Sequence, residues 1–307
     1  MGNIRIYSVV VIILLSLAAC GKEKAESTSA ESLELAVCGW DEVFIMRFDG
    51  LTDSSGEKIW SWRADDSPGL PDSMRARFAS TDECKPVDSG RAILITSSSD
   101  GVALVDLSSK KALFWASAVN AHSAALLPGG LVAVAASHRP EQPGDRLVLF
   151  APGTPGVELA HYELSHGHGA VWDSERELLY ALADDYVRVF RLVGHDTGAA
   201  HLEDVGRIEL PERGGHDLYP VPGTAYLSLS TGKKCWLLDR DTGQVLPHPE
   251  LADMARIKSM CVNPRSGQLA WTQAEGENWW TGRIMMRGPE NTVLMPEQKI
   301  YKVRWVQ

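Results

Sequence analysis

The stretch RAILITSSSDGVALVDLSSKKALFWAS, residues 91–117, contains three short apolar segments separated by two polar turns. Each segment is rich in Ile, Val, Leu or aromatic residues, as β-strands are, and Gly, Asp or Ser bound it. These turn residues supply the backbone conformations that tight hairpins need. The stretch therefore predicts three antiparallel strands, because no long helical period competes with that interpretation.

The same unit recurs five more times along the chain. The other copies lie at residues 33–64, 130–165, 177–210, 225–249 and 268–296. Another short segment, which completes the innermost strand of the blade, precedes every copy except the first, and IYKVRWVQ at 300–307 is a strand with no partners after it. All-β units of roughly forty residues are typical of propeller blades. We predict an all-β, six-bladed β-propeller, closed by the C-terminal strand joining the N-terminal blade.

The amino terminus has the pattern of an export signal. Arg5 precedes an apolar run at 7–17 that is too short to span a bilayer comfortably. The LAAC motif at 17–20 resembles the lipobox of bacterial lipoproteins, in which cleavage leaves a lipidated cysteine, here Cys20. An ordinary secretory signal with a coincidental cysteine is the alternative. The resemblance implies a signal peptide at 1–19, a disordered tether at 20–32 and a propeller domain at 33–307.

The composition and Gly21 narrow the location and the partners. Gly21 stands where retention of lipoproteins at the inner membrane favours Asp, so we expect a lipid-anchored protein of the outer membrane. The formal net charge is −10, which argues against nucleic acid as a partner. We expect a monomer whose contact with the membrane is the lipid anchor.

Four cysteines follow Cys20. They are Cys38, Cys84, Cys235 and Cys261. An even number in an oxidising compartment permits two disulfides in three possible pairings, and buried free thiols are the alternative. The sequence contains no Cys-x-x-Cys motif, so it predicts neither a zinc ribbon nor a thioredoxin-like site.

Equivalent positions near the starts of the innermost strands carry ionisable side chains. They are Glu83, His122, His168, His216, Lys258 and Lys302. Because inner strands line the channel of a propeller, we expect these side chains to converge near its axis on one face. Arg304, two residues after Lys302, shares a face of the last strand with it.

This set of residues favours two kinds of site. The three histidines and Glu83 can bind Zn²⁺ or Mn²⁺ if their ligating atoms approach one point at about 2.1 Å. The imidazoles with Lys258, Lys302 and Arg304 can instead hold a carboxylate, and one imidazole can abstract a proton beside it. The alternative is structural, because repeated histidines can brace neighbouring blades through hydrogen bonds and channel waters.

The loops on the same face carry further polar groups. They are Asp41, Asp100, His138, Asp184 and Glu275. Four tryptophans lie near strand ends, namely Trp40, Trp172, Trp271 and Trp305. We expect most of them to pack between blades, and an exposed one to offer a stacking surface for a sugar ring. His166 precedes its strand and is interpreted as a rim residue.

Four motifs carry a resemblance to a known family. They are CGWD at 38–41, AHSAALLPGG at 121–130, HGHGAVWD at 166–173 and IYKVRW at 300–305. They resemble a bacterial family of secreted or lipoprotein six-bladed β-propellers that is described as a domain of unknown function. The resemblance covers nearly everything after the tether and implies the fold. More distantly, the axis is similar to that of propeller polysaccharide lyases that act on uronates with axial histidines and a metal, although no catalytic residue carries over.

These observations lead to one expected function and two alternatives. We expect a cell-envelope lipoprotein that binds a small anionic ligand, with an acidic saccharide favoured, in its axial pocket. The alternatives are a metal-assisted lyase-type enzyme that uses the axial histidines and a non-catalytic scaffold for a surface assembly. The fold itself serves many functions and does not choose among them. The sequence contains no G-x-S-x-G, H-E-x-x-H or P-loop motif.

Overall fold

A computed structural model describes residues 33–151 and 154–306 of the chain. They form six four-stranded antiparallel sheets, which are the six predicted blades. The first blade contains β1 (Leu33–Gly39), β2 (Glu42–Phe48), β3 (Glu57–Trp62) and the last strand of the chain, β24 (Lys302–Trp305). The second contains β4 (Thr81–Val87), β5 (Ala92–Ser97), β6 (Gly101–Asp106) and β7 (Ala112–Ser117).

The remaining blades each use four consecutive strands. The third contains β8 (Ala121–Leu126), β9 (Val132–Ala136), β10 (Arg146–Phe150) and β11 (Glu158–Glu163). The fourth contains β12 (Gly169–Asp173), β13 (Leu178–Leu182), β14 (Tyr186–Val193) and β15 (His201–Glu209). The fifth contains β16 (Asp217–Pro220), β17 (Tyr226–Ser230), β18 (Cys235–Asp239) and β19 (Val245–Pro247). The sixth contains β20 (Ile257–Val262), β21 (Leu269–Gln273), β22 (Arg283–Arg287) and β23 (Asn291–Leu294).

The described residues contain little helix. The helix α1 spans Asp72–Arg75, and three 3₁₀ turns span Ala64–Asp66, Ala76–Phe78 and Pro128–Gly130. Among the described residues, none of the helices is long and apolar enough to cross a membrane. The predicted signal peptide at 1–19, the tether at 20–32 and lipidated Cys20 lie outside the described residues.

The C-terminal strand closes the ring, as predicted. Strand β24 pairs antiparallel with β1, and Val303 lies opposite Val37 while Lys302 lies opposite Cys38. The closing strand therefore occupies the innermost position of the N-terminal blade and satisfies the inner edge of β1, which would otherwise be open.

Apolar side chains pack between neighbouring sheets. Leu149 of the third blade and Phe190 of the fourth belong to one such cluster, and both are fully buried. A second cluster joins the sixth blade to the first through Ile284 and Val303. These clusters bury the apolar side chains of neighbouring blades against each other.

Three inner strands begin with a β-bulge. The register of β4, β8 and β20 shifts by one residue at Asp82, His122 and Lys258, respectively. A bulge leaves one residue unpaired and re-aims its side chain. At these positions two consecutive residues can therefore face the channel, which a simple alternating pattern does not predict.

The four cysteines of the described residues are free, buried thiols. The Sγ atoms of Cys38 and Cys84 both lie against the carbonyl oxygen of Lys302, at 3.7 and 3.9 Å. Cys261 Sγ lies 3.5 Å from the carbonyl oxygen of Val303. Of the two alternatives left open by the sequence, the structure holds free thiols, and three of them pack around the closing strand.

Candidate axial binding site

A cavity of about 340 Å³ lies where the inner strands of the blades begin. Its lining residues are Asp82, Ser98, His122, His168, His216, Lys258, Trp279 and Tyr301. Four of the six predicted ring residues are among them: the three histidines and Lys258. The repeat therefore brings these four side chains together, although 136 residues separate His122 from Lys258 in the sequence.

The other two ring positions are wrong by one residue. Glu83 and Lys302 do not line the cavity; Asp82 and Tyr301 occupy the places predicted for them. In β4 the bulge at Asp82 directs the side chain of Asp82 towards the cavity. The side chain of Glu83 lies instead in the buried part of the channel, beneath the cavity. The backbone pairing of the closing strand with β1 begins one residue earlier than predicted, because the Tyr301 N–H donates to the Cys38 carbonyl at 2.8 Å. Tyr301 rather than Lys302 therefore lines the cavity.

The three histidines form a contiguous row of rings. The His122 and His168 rings stack with centroids 4.2 Å apart and planes 15° apart, and the His216 ring meets His168 edge-on at 5.2 Å. His168 Nδ1 donates to the His166 carbonyl at 2.7 Å, which leaves Nε2 without its proton. His166 thus acts through its backbone on the ring of His168.

Two of the three histidines in the row, His168 and His216, are uncharged near pH 7. Burial, followed by the neighbouring His122 and His216, lowers the pKa of His168 well below its ordinary value. Burial, followed by the charge of Lys258, lowers the pKa of His216 to about 3. His168 and His216 are therefore uncharged hydrogen-bonding groups.

Lys258 is the cation of the cavity. Its Nζ donates to His216 Nε2 at 3.1 Å, and no carboxylate of the described residues forms an ion pair with it. Burial, followed by the charges of Arg256 and Lys302, lowers its pKa to about 8, so the ammonium form predominates at neutral pH. A buried ammonium without a counterion attracts an anion.

Asp82 supplies the carboxylate of the cavity. Its Oδ1 lies 3.3 Å from His122 Nδ1, and its Oδ2 accepts a hydrogen bond from the Ser98 backbone N–H. Around the ring, Tyr301 separates Asp82 from Lys258 on one side and the three histidines separate them on the other. The cavity therefore has an acceptor region and a cationic region.

A buried cluster of ion pairs lies beside the cavity in the channel, formed by Glu83, Asp217, Lys302 and Arg304. Arg304 Nε and Nη2 donate to the two carboxylate oxygens of Glu83 at 2.9 and 3.0 Å, and Arg304 Nη1 donates to Asp217 Oδ2 at 3.0 Å. Lys302 Nζ donates to Asp217 Oδ1 at 3.0 Å. All four side chains are fully buried, so Lys302 and Arg304 are not free to contact a ligand as the sequence suggested.

The ion pairs keep this cluster charged. Burial alone would raise the pKa of Glu83, yet the charges of Arg304 and Lys302 outweigh it and hold that pKa below its ordinary value. Burial alone would lower the pKa of Lys302, yet Asp217 and Glu83 raise it. Lys85 Nζ lies 3.6 Å from Glu83 and donates to Ser123 Oγ at 2.9 Å, which completes the cluster.

The axis as a whole is positive. Four cations and three carboxylates lie along it, so one positive charge is in excess when all are ionised; the cations are Lys85, Lys258, Lys302 and Arg304, and the carboxylates are Asp82, Glu83 and Asp217. The complete chain, by contrast, has a formal net charge of −10. The channel is therefore opposite in sign to the rest of the protein, which favours anions in the cavity.

The rim residues predicted from the loops do not line the cavity. Each has a partner of its own: Asp41 pairs with Arg63, Asp100 with Arg139, His138 with Asp145, Asp184 with Arg213 and Glu275 with Arg283. These ion pairs lie in the loops around the cavity. The side chains that can contact a ligand in the cavity come from the inner strands, together with Trp279.

Sequence reasoning missed several lining residues. Trp279 and its neighbour Trp280 lie in the long loop between β21 and β22, and Trp279 is 40% exposed. Two adjacent tryptophans in a polar loop could have indicated a binding surface from the sequence, because large exposed aromatic side chains are typical of interaction sites. Of the tryptophans singled out from sequence, Trp271 and Trp305 are buried, as expected for core residues.

The metal prediction remains a prediction. Within the described residues, no group of three or more His, Cys, Asp or Glu side chains is placed to hold a metal ion. Glu83 faces Arg304 rather than the histidines, and Lys258 occupies one imidazole nitrogen of His216. The arrangement therefore gives no support to Zn²⁺ or Mn²⁺ bound by His122, His168, His216 and Glu83.

Among the solved structures that are similar to this chain, two have 15% sequence identity to it. A chain of hydrazine synthase from Kuenenia stuttgartiensis has 15% identity and a TM-score of 0.49, covering 69% of this chain and 64% of that one. A "putative 6-phosphogluconolactonase" from Bacteroides uniformis ATCC 8492 has 15% identity and a TM-score of 0.56, covering 90% of this chain and 82% of that one. At this identity the second similarity shows the fold alone. No curated protein matches the chain.

A family model matches nearly the whole sequence. It is described as "Family of unknown function (DUF6528)" and matches residues 6–307, which include every blade and the closing strand. The six-bladed propeller with its axial histidine row thus belongs to a member of the DUF6528 family.

Proposed function

We propose that the axial cavity binds a small anionic ligand, and that the ligand is an acidic saccharide. The observation that carries this proposal is Lys258, an almost buried ammonium that faces neutral imidazoles and no carboxylate. The positive excess along the axis supports the same conclusion, because the potential of the buried cluster adds to that of Lys258. A carboxylate at Lys258 would pair this charge.

The other lining residues favour a sugar over a simple carboxylate. Asp82 and the unprotonated Nε2 of His168 accept hydrogen bonds, as sugar hydroxyls require. The half-exposed indole of Trp279 offers a flat apolar surface, and Tyr301 lies against it with ring centroids 5.4 Å apart. An apolar wall with a few convergent polar groups is typical of ligand pockets of this volume.

The protonation states favour binding over proton abstraction. A general base works best when its pKa lies near the working pH, and burial moves the pKa of His168 and that of His216 well below that range. The alternative of a metal-assisted lyase also lacks support, because no group of three or more His, Cys, Asp or Glu side chains among the described residues is placed to hold a metal ion. Exposed apolar side chains such as Leu113, Val205 and Leu294 lie on the outer strands of different blades.

Calorimetric titration of the full-length protein in detergent tests the proposal. Galacturonate and glucuronate should bind, and galactose and glucose, which lack the carboxylate, should bind at least about tenfold more weakly. Lys258→Met should abolish the preference for the acids. Lys111→Met is the matched control, because Lys111 is exposed in the β6–β7 turn and should leave the titration unchanged. Equal affinity for acidic and neutral sugars would contradict the proposal.

We also propose that the protein is a lipid-anchored component of the cell envelope. The lipobox-like LAAC motif at 17–20 carries this proposal. Full-length protein expressed in a bacterium should partition with the outer membrane and carry a lipid mass on its N-terminal Cys20 peptide. Cys20→Ala should remove that mass, and an unmodified Cys20 in the wild-type peptide would contradict the proposal.

A further inference from the structure

The axial cavity is lined by one carboxylate as well as by one ammonium. Asp82 is its acid and Lys258 is its lysine, and the other lining residues are the three histidines, Ser98, Trp279 and Tyr301. The lining is therefore balanced between one anion and one cation when the histidines are neutral. The positive excess of the axis comes from the buried cluster of ion pairs beneath the cavity.

The carboxylate of Asp82 has no lysine or arginine to pair with. It is 1% exposed, and no Lys or Arg among the described residues forms an ion pair with it. Arg139, which donates to the Ser98 carbonyl, pairs with Asp100 at 2.6 Å instead. His122 lies 3.3 Å from Asp82 and compensates its charge only when the imidazole is protonated. A buried carboxylate of this kind attracts a cation, just as the buried ammonium of Lys258 attracts an anion.

Aromatic rings lie beside this carboxylate. The ring of Tyr301 lies 6.2 Å from that of His122 and meets Trp279 edge-on at 5.4 Å. Burial, followed by the charge of Asp82, raises the pKa of Tyr301 well above its ordinary value, so its hydroxyl stays uncharged. Because the faces of aromatic rings attract cations, a carboxylate beside such rings favours an ammonium group.

The aromatic wall is held in place from outside the cavity. The indole of Trp279 stacks on that of Trp40 with ring centroids 4.9 Å apart and planes 9° apart. The stack limits the rotation of Trp279, so less freedom remains to be lost when a ligand binds. The wall therefore favours a ligand whose cationic part lies near Tyr301 and Trp279.

We propose that the ligand of the axial cavity carries an ammonium group in addition to its carboxylate, as an amino sugar acid does. The carboxylate pairs with Lys258, the ammonium pairs with Asp82 beside Tyr301, and the sugar ring lies between them. A ligand with both charges pairs both buried charges of the lining, whereas a simple uronate leaves Asp82 without a cation. This inference rests on the proposed binding function and adds the second charge of the ligand.

The test compares three sugar acids in calorimetric titrations of the full-length protein in detergent. They are galacturonate, galactosaminuronate, in which an amine replaces one hydroxyl, and the N-acetyl derivative of galactosaminuronate. At about pH 6 the sugar amine and Lys258 are both protonated. Galactosaminuronate should bind at least about tenfold more tightly than the other two acids. Galactosamine, which lacks the carboxylate, should bind more weakly than galactosaminuronate.

Asp82→Asn tests the residue that meets the ammonium. Asparagine keeps the size of the side chain and an oxygen that can accept from the Ser98 N–H, but it removes the negative charge. The variant should abolish the preference for galactosaminuronate over galacturonate, whatever change the two affinities share. Asp72→Asn is the matched control, because Asp72 is exposed and does not line the cavity; its preference should equal that of the wild type. Thermal melts should show that every variant is folded.

The outcomes separate this inference from the proposed function. Binding of galacturonate without any gain from the amine would overturn the ammonium site and leave the anion site intact. An equal gain for the N-acetyl derivative would also overturn it, because that group carries no charge. A preference that survives in Asp82→Asn would overturn the role of Asp82. Absence of binding for every acid would overturn the anion site itself.

Discussion

Arg304, in the last strand of the chain, donates hydrogen bonds from Nε and Nη2 to both carboxylate oxygens of Glu83, which lies 221 residues earlier. Both side chains are fully buried. The closing strand is therefore held by desolvated, bidentate ion pairs in addition to its backbone pairing with β1. Because Asp217 accepts from the same guanidinium, the cluster joins the first, second and fifth blades.

Arg304→Met should destabilise the protein by about 3–5 kcal/mol, because it leaves Glu83 and Asp217 buried with too few partners. Urea unfolding monitored by tryptophan fluorescence measures this loss. Arg47→Met is the control: its pair with Glu34 is partly exposed and should change the free energy of unfolding by less than about 1 kcal/mol. A small effect at Arg304 would mean that backbone pairing alone closes the ring.

Binding of galacturonate should weaken at alkaline pH. The pKa of Lys258 is lowered to about 8, so its ammonium is present below that pH and is lost as the pH rises through it. His216, with a pKa of about 3, stays neutral throughout. Above about pH 8 the affinity should fall by up to about tenfold for each pH unit, and Lys258→Met should show no such slope.

Proton uptake gives an independent check on the same residue. A bound carboxylate stabilises the ammonium and raises the pKa of Lys258, so binding near pH 8 should take up protons. Calorimetry in two buffers with different ionisation enthalpies should then give different apparent binding enthalpies. Identical enthalpies in both buffers would indicate that Lys258 does not meet the carboxylate.

His168→Phe separates ligand binding from bracing between blades. Phenylalanine keeps an aromatic ring beside His122 but removes the Nε2 acceptor and the bond to the His166 carbonyl. We expect the affinity for galacturonate to fall by about tenfold while the melting temperature changes little. A lower melting temperature with unchanged affinity would assign the histidine row to bracing.

The thiols should be protected in the folded protein. Because Cys38, Cys84 and Cys261 are buried around the closing strand, a thiol-reactive dye should label them only after unfolding. Unreduced protein denatured in guanidinium should then show four reactive thiols from Cys38, Cys84, Cys235 and Cys261. A fifth would come from an unmodified Cys20, and two fewer would reveal a disulfide.

Local patterns were enough to predict the architecture. In 91–117 the alternation of apolar segments and turn residues acts within a few residues, and its repetition six times leaves one spare strand at the C-terminus. That spare strand could only pair with the first blade, and it does so. The positions of His122, His168, His216 and Lys258 follow from the same repeat, because each occupies the same place in its blade.

The predictions that were wrong depended on three-dimensional geometry that cannot be inferred from one sequence. A bulge at Asp82 moves Glu83 from the cavity into the channel, and bulges carry no strong signature of their own. The pairing of Arg304 with Glu83 and the stacking of Trp40 on Trp279 join distant residues in loops and strands of different blades. Such contacts exist only after the ring has closed.

The sequence by itself therefore determined the blades, their number, the closing strand and four members of the cavity, since all of these follow from hydrophobic periodicity and turn chemistry within a repeat. Only the tertiary structure decided that Lys302 and Arg304 are buried ion-pair partners and that Asp82, Tyr301 and Trp279 line the cavity. The reason is physical: side-chain direction at a bulge and burial in a channel depend on six blades meeting at one axis.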